Sequence, residues 1–340
     1  MKGTILTALA AGALILAGCT KTEVTDVPDS RAISFDKFVT NAVKALDTEG
    51  DGGLTKFYVY GGPTDNTTLF AGTTVSYANA NGAWSYSPLK YWEATKIYNF
   101  AAYSNENESV TGVTLKADNH LKITDYISDG TKDLIYTYEH DIVCGDALNM
   151  PPVELTFYHI LSRVAFKFTK DQVSLAGTDI EVSNIKITAL NNQGTFTGED
   201  IITQCPYGAW TGQSGAVAQA FDKEGGNIDL TDVQAEGQTD YEYLIPQPAN
   251  GSGLTVTFTL TPTGTLAEDY SKSAKPFSVT LPATSDSQWN PGYTYVYTAE
   301  IKSNNFELTP IIFDVTEVKI WGNGNITGGD DILIDNNTGN

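Results

Sequence analysis

The sequence predicts an all-β protein of two tandem β-sandwich domains, and three features lead there. Short strand-like runs recur at roughly 8–12-residue spacing from Ala32 onward, with turn-forming residues between them, the pattern of sandwiches and barrels. Helical periodicity is scarce: Phe38 to Leu46 and Tyr158 to Val164 are the only candidates, and both are short. The double proline Pro151-Pro152 falls near the middle, and neither residue can donate to a β-ladder, so it marks a domain boundary. At roughly 150 residues per domain, 340 residues suit two domains, which we place at 32–152 and 153–340.

The N-terminal segment has the form of a targeting signal. Lys2 is followed by an apolar stretch from Ile5 to Ala17, shorter than the roughly 20 residues a spanning helix needs. It ends in Leu16-Ala17-Gly18-Cys19, which resembles the lipobox of bacterial lipoproteins. The resemblance implies a lipoprotein signal peptide over 1–18 and cleavage before Cys19. It also implies thioether lipidation of Cys19 and acylation of the new amine, so that palmitate-type chains hold the protein in lipid. The alternative is an ordinary signal peptide that contains a cysteine. Residues 19–31, polar, with Pro28 and no apolar period, read as a tether.

Strands follow in order. Lys56 to Tyr60 alternates and stops at Gly61-Gly62-Pro63, while Thr74 to Tyr77 and Trp84 to Tyr86 flank an Asn81-Gly82 hairpin signal. Lys96 to Tyr103, Leu134 to Tyr138, Glu154 to Phe157 and Arg163 to Phe168 continue the pattern. In the second block come Ile180 to Leu190, Tyr241 to Ile245, Leu254 to Leu260, Phe277 to Leu281, Tyr293 to Ile301 and Ile311 to Ile320. With Cys19 taken, Cys144 and Cys205 are left, either a disulfide or two separate buried thiols.

Composition excludes several function classes. With 20 Lys+Arg against 41 Asp+Glu the net charge is −21, and no basic stripe exists to replace phosphate counterions, so no nucleic-acid partner is expected. His120, His140 and His159 stand in unrelated contexts without zinc-ligand spacing, and no metal or cofactor is expected. Gly212-Gln213-Ser214-Gly215 resembles half a nucleophile elbow, but Ala216 stands where the second glycine is needed; a small-residue loop explains it better. Asp47-Thr48-Glu49-Gly50-Asp51-Gly52 imitates half a calcium loop, yet Tyr58 occupies the position of the bidentate Glu, so an acidic turn is the better reading. No residues are singled out as catalytic.

Several segments form an ordered series. The N-terminal ones are Asn81-Gly82-Ala83-Trp84-Ser85-Tyr86, Lys90-Tyr91-Trp92, Tyr98-Asn99-Phe100-Ala101-Ala102-Tyr103 and Lys132-Asp133-Leu134-Ile135-Tyr136. Leu155-Thr156-Phe157-Tyr158-His159 with Arg163 to Phe168, Leu244-Ile245-Pro246-Gln247 and Trp289-Asn290-Pro291-Gly292-Tyr293-Thr294-Tyr295 continue it. Together, and in this order, they resemble the fimbrillin family of Bacteroidales, the Mfa-like subunits of type V pili. Trp84, Trp92, Phe100, Trp289 and Tyr295 are large apolar anchors, so these motifs identify a fold and not an active site.

The resemblance implies transthyretin-like, Greek-key sandwiches and a structural, non-enzymatic subunit, major, minor or tip, of an adhesive fimbria. Family subunits reach the outer membrane as lipoproteins, and a trypsin-like protease cuts behind the first strand. A strand from another subunit then fills the opened groove. Here that strand is Ala32 to Val39, with Ile33 and Phe35 on one face and Phe38 and Val39 beyond a break at Asp36-Lys37. The matching cleavage position is Lys44, before Ala45; Arg31, before Ala32, is the second candidate and would free only the tether. Ile332-Leu333-Ile334, behind a glycine-rich stretch, is the candidate donor strand, and it suits a last in-domain edge strand equally well. Expected partners are other fimbrial subunits and, through Cys19, outer-membrane lipid, with the surface receptor unspecified. The rival reading is a permanently anchored surface adhesin or glycan-binding lipoprotein that never polymerises.

Overall fold

The computed structural model describes residues 31–36, 54–65, 68–78, 83–199, 208–251, 253–263, 273–307 and 309–320. The described residues are strands, turns and short 3₁₀ segments, with no α-helix among them. Tyr158 to Val164 is therefore not helical. Tyr158–His159 and Ser162–Lys170 are strands, because alternation from Val164 to Phe168 sends every second side chain into a core.

A six-stranded antiparallel sheet forms the centre of the N-terminal unit, in the order Tyr158–His159, Leu134–Val143, Ile97–Asn105, Lys56–Pro63, Phe70–Ala78, Ala83–Ser85. Alternation splits its side chains between two cores. Phe57, Val59, Tyr98, Phe100 and Ala102 point to one face, together with Ile33, Phe35 and Trp92. Ala101, Tyr103, Leu134 and Tyr136 point to the other. That second face is covered by a four-stranded sheet, Gly208–Ser214, Gln193–Gly198, Leu121–Ile127 and Val113–Leu115. The Gly212-x-Ser214 stretch thus lies in a strand paired with Gln193–Gly198 rather than in a loop. Gly61 is needed where the central strands meet: at φ +118 a Cβ would stand 2.2 Å from the Asn99 carbonyl oxygen.

The C-terminal unit is a sandwich of two five-stranded sheets around the largest core. In one, Ser162–Lys170 carries Glu236–Gln238 and Glu242–Leu244 on one edge and pairs in parallel with Tyr293–Ile301, which pairs with Phe313–Ile320. In the other, Asp179–Leu190 carries Val217–Ala220 and Ile228–Leu230 and pairs with Thr255–Thr263, then Lys275–Thr280. Phe166, Phe168, Phe258 and Phe313 pack edge to face between the sheets, with ring centroids 5.1 to 5.8 Å apart. Lys275–Thr280 is an edge strand, and Pro276 within it has no amide to offer a further strand.

Pairing crosses residue 152: Val153–Glu154 and Tyr158–His159 join strands of the first unit, and the hairpin from 193 to 214 joins its four-stranded sheet. The seam between the units is continuous backbone. The Ile160 amide donates to the Leu134 carbonyl, Gly292 to Leu161, Tyr243 to Gly130 and Ser128 to Asn192, at 2.7 to 3.0 Å.

Glu242 lies half-buried at this seam and accepts a hydrogen bond from Gln219 Nε2 at 2.9 Å. Burial, reinforced by Asp222, pushes its carboxyl from the usual 4.5 up to about 8. A raised folded pKa means that the fold prefers the protonated form. The contribution is fully present below about pH 4.5 and lost as pH rises through about 8. Glu242→Gln should therefore flatten the decline in melting temperature across that window. An unchanged decline would remove Glu242 as its source.

Candidate functional site

Alternation governs the segment Arg31 to Asp36. Ile33 and Phe35, two residues apart, point inward and are 1% and 5% exposed, while Ser34 between them faces solvent. The segment lies between two others and is bonded to both. On one side the Ile33 amide donates to the Lys90 carbonyl at 2.8 Å and the Trp92 amide to the Arg31 carbonyl at 2.9 Å, an antiparallel bridge of Ala32 with Tyr91. On the other, Phe35–Asp36 pairs in parallel with Val153–Glu154, and the Val153 amide donates to the Ser34 carbonyl at 2.8 Å. Tyr86 Oη donates to the Ile33 carbonyl at 2.6 Å; burial pushes this phenol up to about 12, so it stays a donor. Arg31 Nη2 donates to the Trp92 carbonyl at 3.1 Å.

Phe35 is the centre of an aromatic cage. Its ring meets Phe57, Phe70 and Phe100 edge to face, with centroids 6.1, 5.5 and 5.7 Å away, and leans on Tyr86 at 5.9 Å. These rings come from three central strands and the segment after Ala83–Ser85, so one side chain closes the core over the sheet. The segment has the form of a plug. Taking it away would leave backbone donors and acceptors unpaired along both flanks and an apolar slot between them, and a further extended strand would satisfy both.

The other predicted positions divide as follows. Cys19, Phe38, Val39, Lys44, Ala45, Cys205 and Ile332 to Ile334 lie outside the described residues. Ala32 is bridged to Tyr91, and Arg31 beside it is partly buried. Cys144 is a buried free thiol whose pKa burial raises. His120 Nδ1 meets the Tyr136 hydroxyl at 3.0 Å, His140 the Asp141 carboxylate at 2.8 Å and His159 the Asp133 carboxylate at 2.7 Å. Sequence reasoning passed over Tyr86, Tyr91 and Val153 as partners of the first strand, since nothing local in 86–91 or 153–154 marks them as its flanks.

The sequence profile described as fimbrillin-like matches residues 40–321. The chain belongs to that family. Among solved structures, a fimbrial protein from Bacteroides vulgatus is 19% identical with a TM-score of 0.56, covering 86% of this chain and 99% of its own. A candidate cell adhesion protein from Bacteroides uniformis is 18% identical at TM-score 0.49, covering 78% and 91%. One from Bacteroides ovatus is 14% identical at TM-score 0.46, covering 85% and 95%. No curated protein matches the chain. The likeness to the B. vulgatus protein shows a shared fold.

In this fimbrillin-like chain the family-type motifs are structural, as their residues suggested. Trp92, Phe100, Trp289 and Tyr295 are buried. Trp289 Nε1 donates to the Tyr297 hydroxyl at 2.9 Å, and the Asn290 amide to the Tyr295 hydroxyl at 2.8 Å, which locks the Trp-Asn-Pro-Gly turn. Gln247 is buried and clasps Asn191 both ways at 3.1 Å, tying the two sheets of the C-terminal unit together. The family is one of fimbrial structural proteins.

Proposed function

We propose that this chain is a structural subunit of an adhesive fimbria, assembled by protease-triggered strand exchange. In this reading it is a lipoprotein precursor held in the outer membrane through Cys19, its two sandwich units divided near residue 152 except that 153–159 and the 193–214 hairpin complete the first. Cleavage between Lys44 and Ala45 frees the first strand, and a strand of another subunit, for which Ile332 to Ile334 is the candidate, enters its place. The observation that carries the reading is the plug: a short segment bonded on both flanks, with Ile33 and Phe35 as its buried anchors. Such a segment can be exchanged because its contacts are backbone ladders plus two side chains, which another apolar strand can reproduce.

The test is the N-terminal residue and intact mass of the protein recovered from the cell surface, alongside its polymer content. A start at Ala45 in the polymer fraction is expected. An acylated Cys19 as the only N-terminus, with no polymer, would replace this reading by that of a static anchored adhesin.

A further inference from the structure

Nine large apolar side chains stand exposed among the described residues, and six of them collect at two places. Strand Leu134–Val143 leaves the seam at Leu134 and runs about 33 Å to Val143, which is 63% exposed. Its neighbour brings exposed Ile97 directly opposite Val143, and exposed Leu148 follows in the turn from Asp146 to Asn149. Strand Ser162–Lys170 leaves the same seam and runs about 30 Å to Lys170. Beyond its end stand Val173, Val233 and Ile312, with Val233 99% exposed. The loops carrying the first two are joined there: Gln172 Nε2 donates to the Asp232 carbonyl and the Gly177 amide to the Asp232 carboxylate, both at 3.0 Å. Ile312 arrives at the same end, since Phe313 pairs with Ala299 and the Asp171 amide bonds the Ile301 carbonyl. Each trio therefore lies at the end of its unit remote from the seam.

Single exposed apolar residues are ordinary, but their collection at two remote ends is not. Lysines at both ends are also paired with acids: Lys96 with Asp65 at the first, Lys170 with Asp232 and Lys302 with Glu300 at the second. On a chain of net charge −21 this local pairing lowers the repulsion that another copy would meet.

We propose that the two ends are partners. The Ile97–Val143–Leu148 end of one copy seats on the Val173–Val233–Ile312 end of the next, a head-to-tail contact that does not close and so propagates a filament. The proposal rests on the fimbrial reading above. Three residues a side make a small contact, well below the roughly 1,200 Å² of a stable interface, so it sets axial register while strand exchange supplies the tenacity. The reach of the chain agrees. Strand Phe313–Ile320 returns to the seam, where Ile320 faces Tyr293, and Ile332 lies 12 residues further on. Fully extended, 12 residues span about 40 Å, enough to pass the roughly 30 Å of the C-terminal unit and enter a copy abutting its end.

The test uses the full chain expressed on its own cells, with polymer length measured for Val143→Asp, Val233→Lys and the double variant. Each single charge should lower end-to-end association about tenfold, equivalent to ~1.4 kcal/mol, and shorten the polymers. The double variant should restore them, because every contact then sets Asp against Lys. Melting temperatures of the three monomers should equal the parent's, as both sites are exposed. Parent-length polymers from both single variants would overturn the end contact while leaving strand exchange standing. Short polymers that the pair does not restore would overturn the pairing of these two ends. No polymer from the parent chain starting at Ala45 would overturn the fimbrial reading and this proposal with it.

Discussion

Phe35→Ala should lower the stability of the full chain by about 3–5 kcal/mol, the cost of emptying a well-packed aromatic site. The ring touches Phe57, Phe70, Tyr86 and Phe100, which belong to different segments, so the surroundings cannot collapse around the void as one flexible side chain would. The three with Phe57, Phe70 and Phe100 are also edge-to-face pairs, each contributing roughly 0.5–1.5 kcal/mol beyond area burial. Ser34→Ala is the control: its side chain faces solvent and its backbone bonds survive, so the change should stay within about 0.5 kcal/mol. Denaturant midpoints at constant slope measure both. A cost below about 1 kcal/mol at Phe35 would mean that the segment rests on the core without closing it, and the plug argument would fail. The expected result also has a functional side. The same loss of anchoring should release the segment more often, so the cleavage we propose after Lys44 should be faster in Phe35→Ala than in Ser34→Ala.

How far the fold was legible follows from where each strand finds its partners. Tyr293–Ile301 appears in the structure with the bounds the sequence suggested, because Pro291-Gly292 starts it and its buried residues dominate. Strands of the four-stranded sheet were passed over. Leu121, Ile123, Phe196 and Trp210 turn inward, but Thr, Lys, Asp and Gly fill the positions between, and the partners of Gln193–Gly198 include residues about 70 positions earlier. Local pattern carries no trace of such a pairing. The plug was half legible: alternation singled out Ile33 and Phe35, whereas the flanks at Lys90 to Trp92 and Val153 to Glu154 exist only once distant segments meet. Lys56 to Tyr60 was read short, since Gly61 to Pro63 looks like a turn yet continues the ladder opposite Asn99 and Tyr98. His159 stands in the sequence without ligand spacing, and its partner cannot be named until the fold brings Asp133 to face it.

That pair is where the second large effect is expected. His159→Ala should cost about 3–5 kcal/mol, because it leaves the Asp133 carboxylate buried without its partner. The two side chains are 1% and 6% exposed and meet at 2.7 Å. Asp133 Oδ1 has no hydrogen-bond partner among the described residues, so the contact to His159 Nδ1 carries the burden of holding the carboxylate. Arg163, with its guanidinium over the Tyr241 ring at 4.2 Å and its Nε donating to Thr294 at 3.1 Å, adds a favourable charge interaction with Asp133, which His159→Ala leaves in place. Replacing both partners, Asp133→Leu with His159→Phe, should cost much less than His159→Ala, since no buried charge is then left over. The comparison separates a polar clasp from simple loss of packing, in which the double replacement would cost at least as much. Location makes the effect matter beyond stability. His159 pairs with Ile135 in the outermost strand of the central sheet, and the next residue bonds the Leu134 carbonyl across the seam. Loosening the pair should therefore speed hydrogen exchange at the Ile160 and Gly292 amides before it affects the core around Phe57. Uniform acceleration throughout both units would instead mean that the seam opens only when the whole chain unfolds.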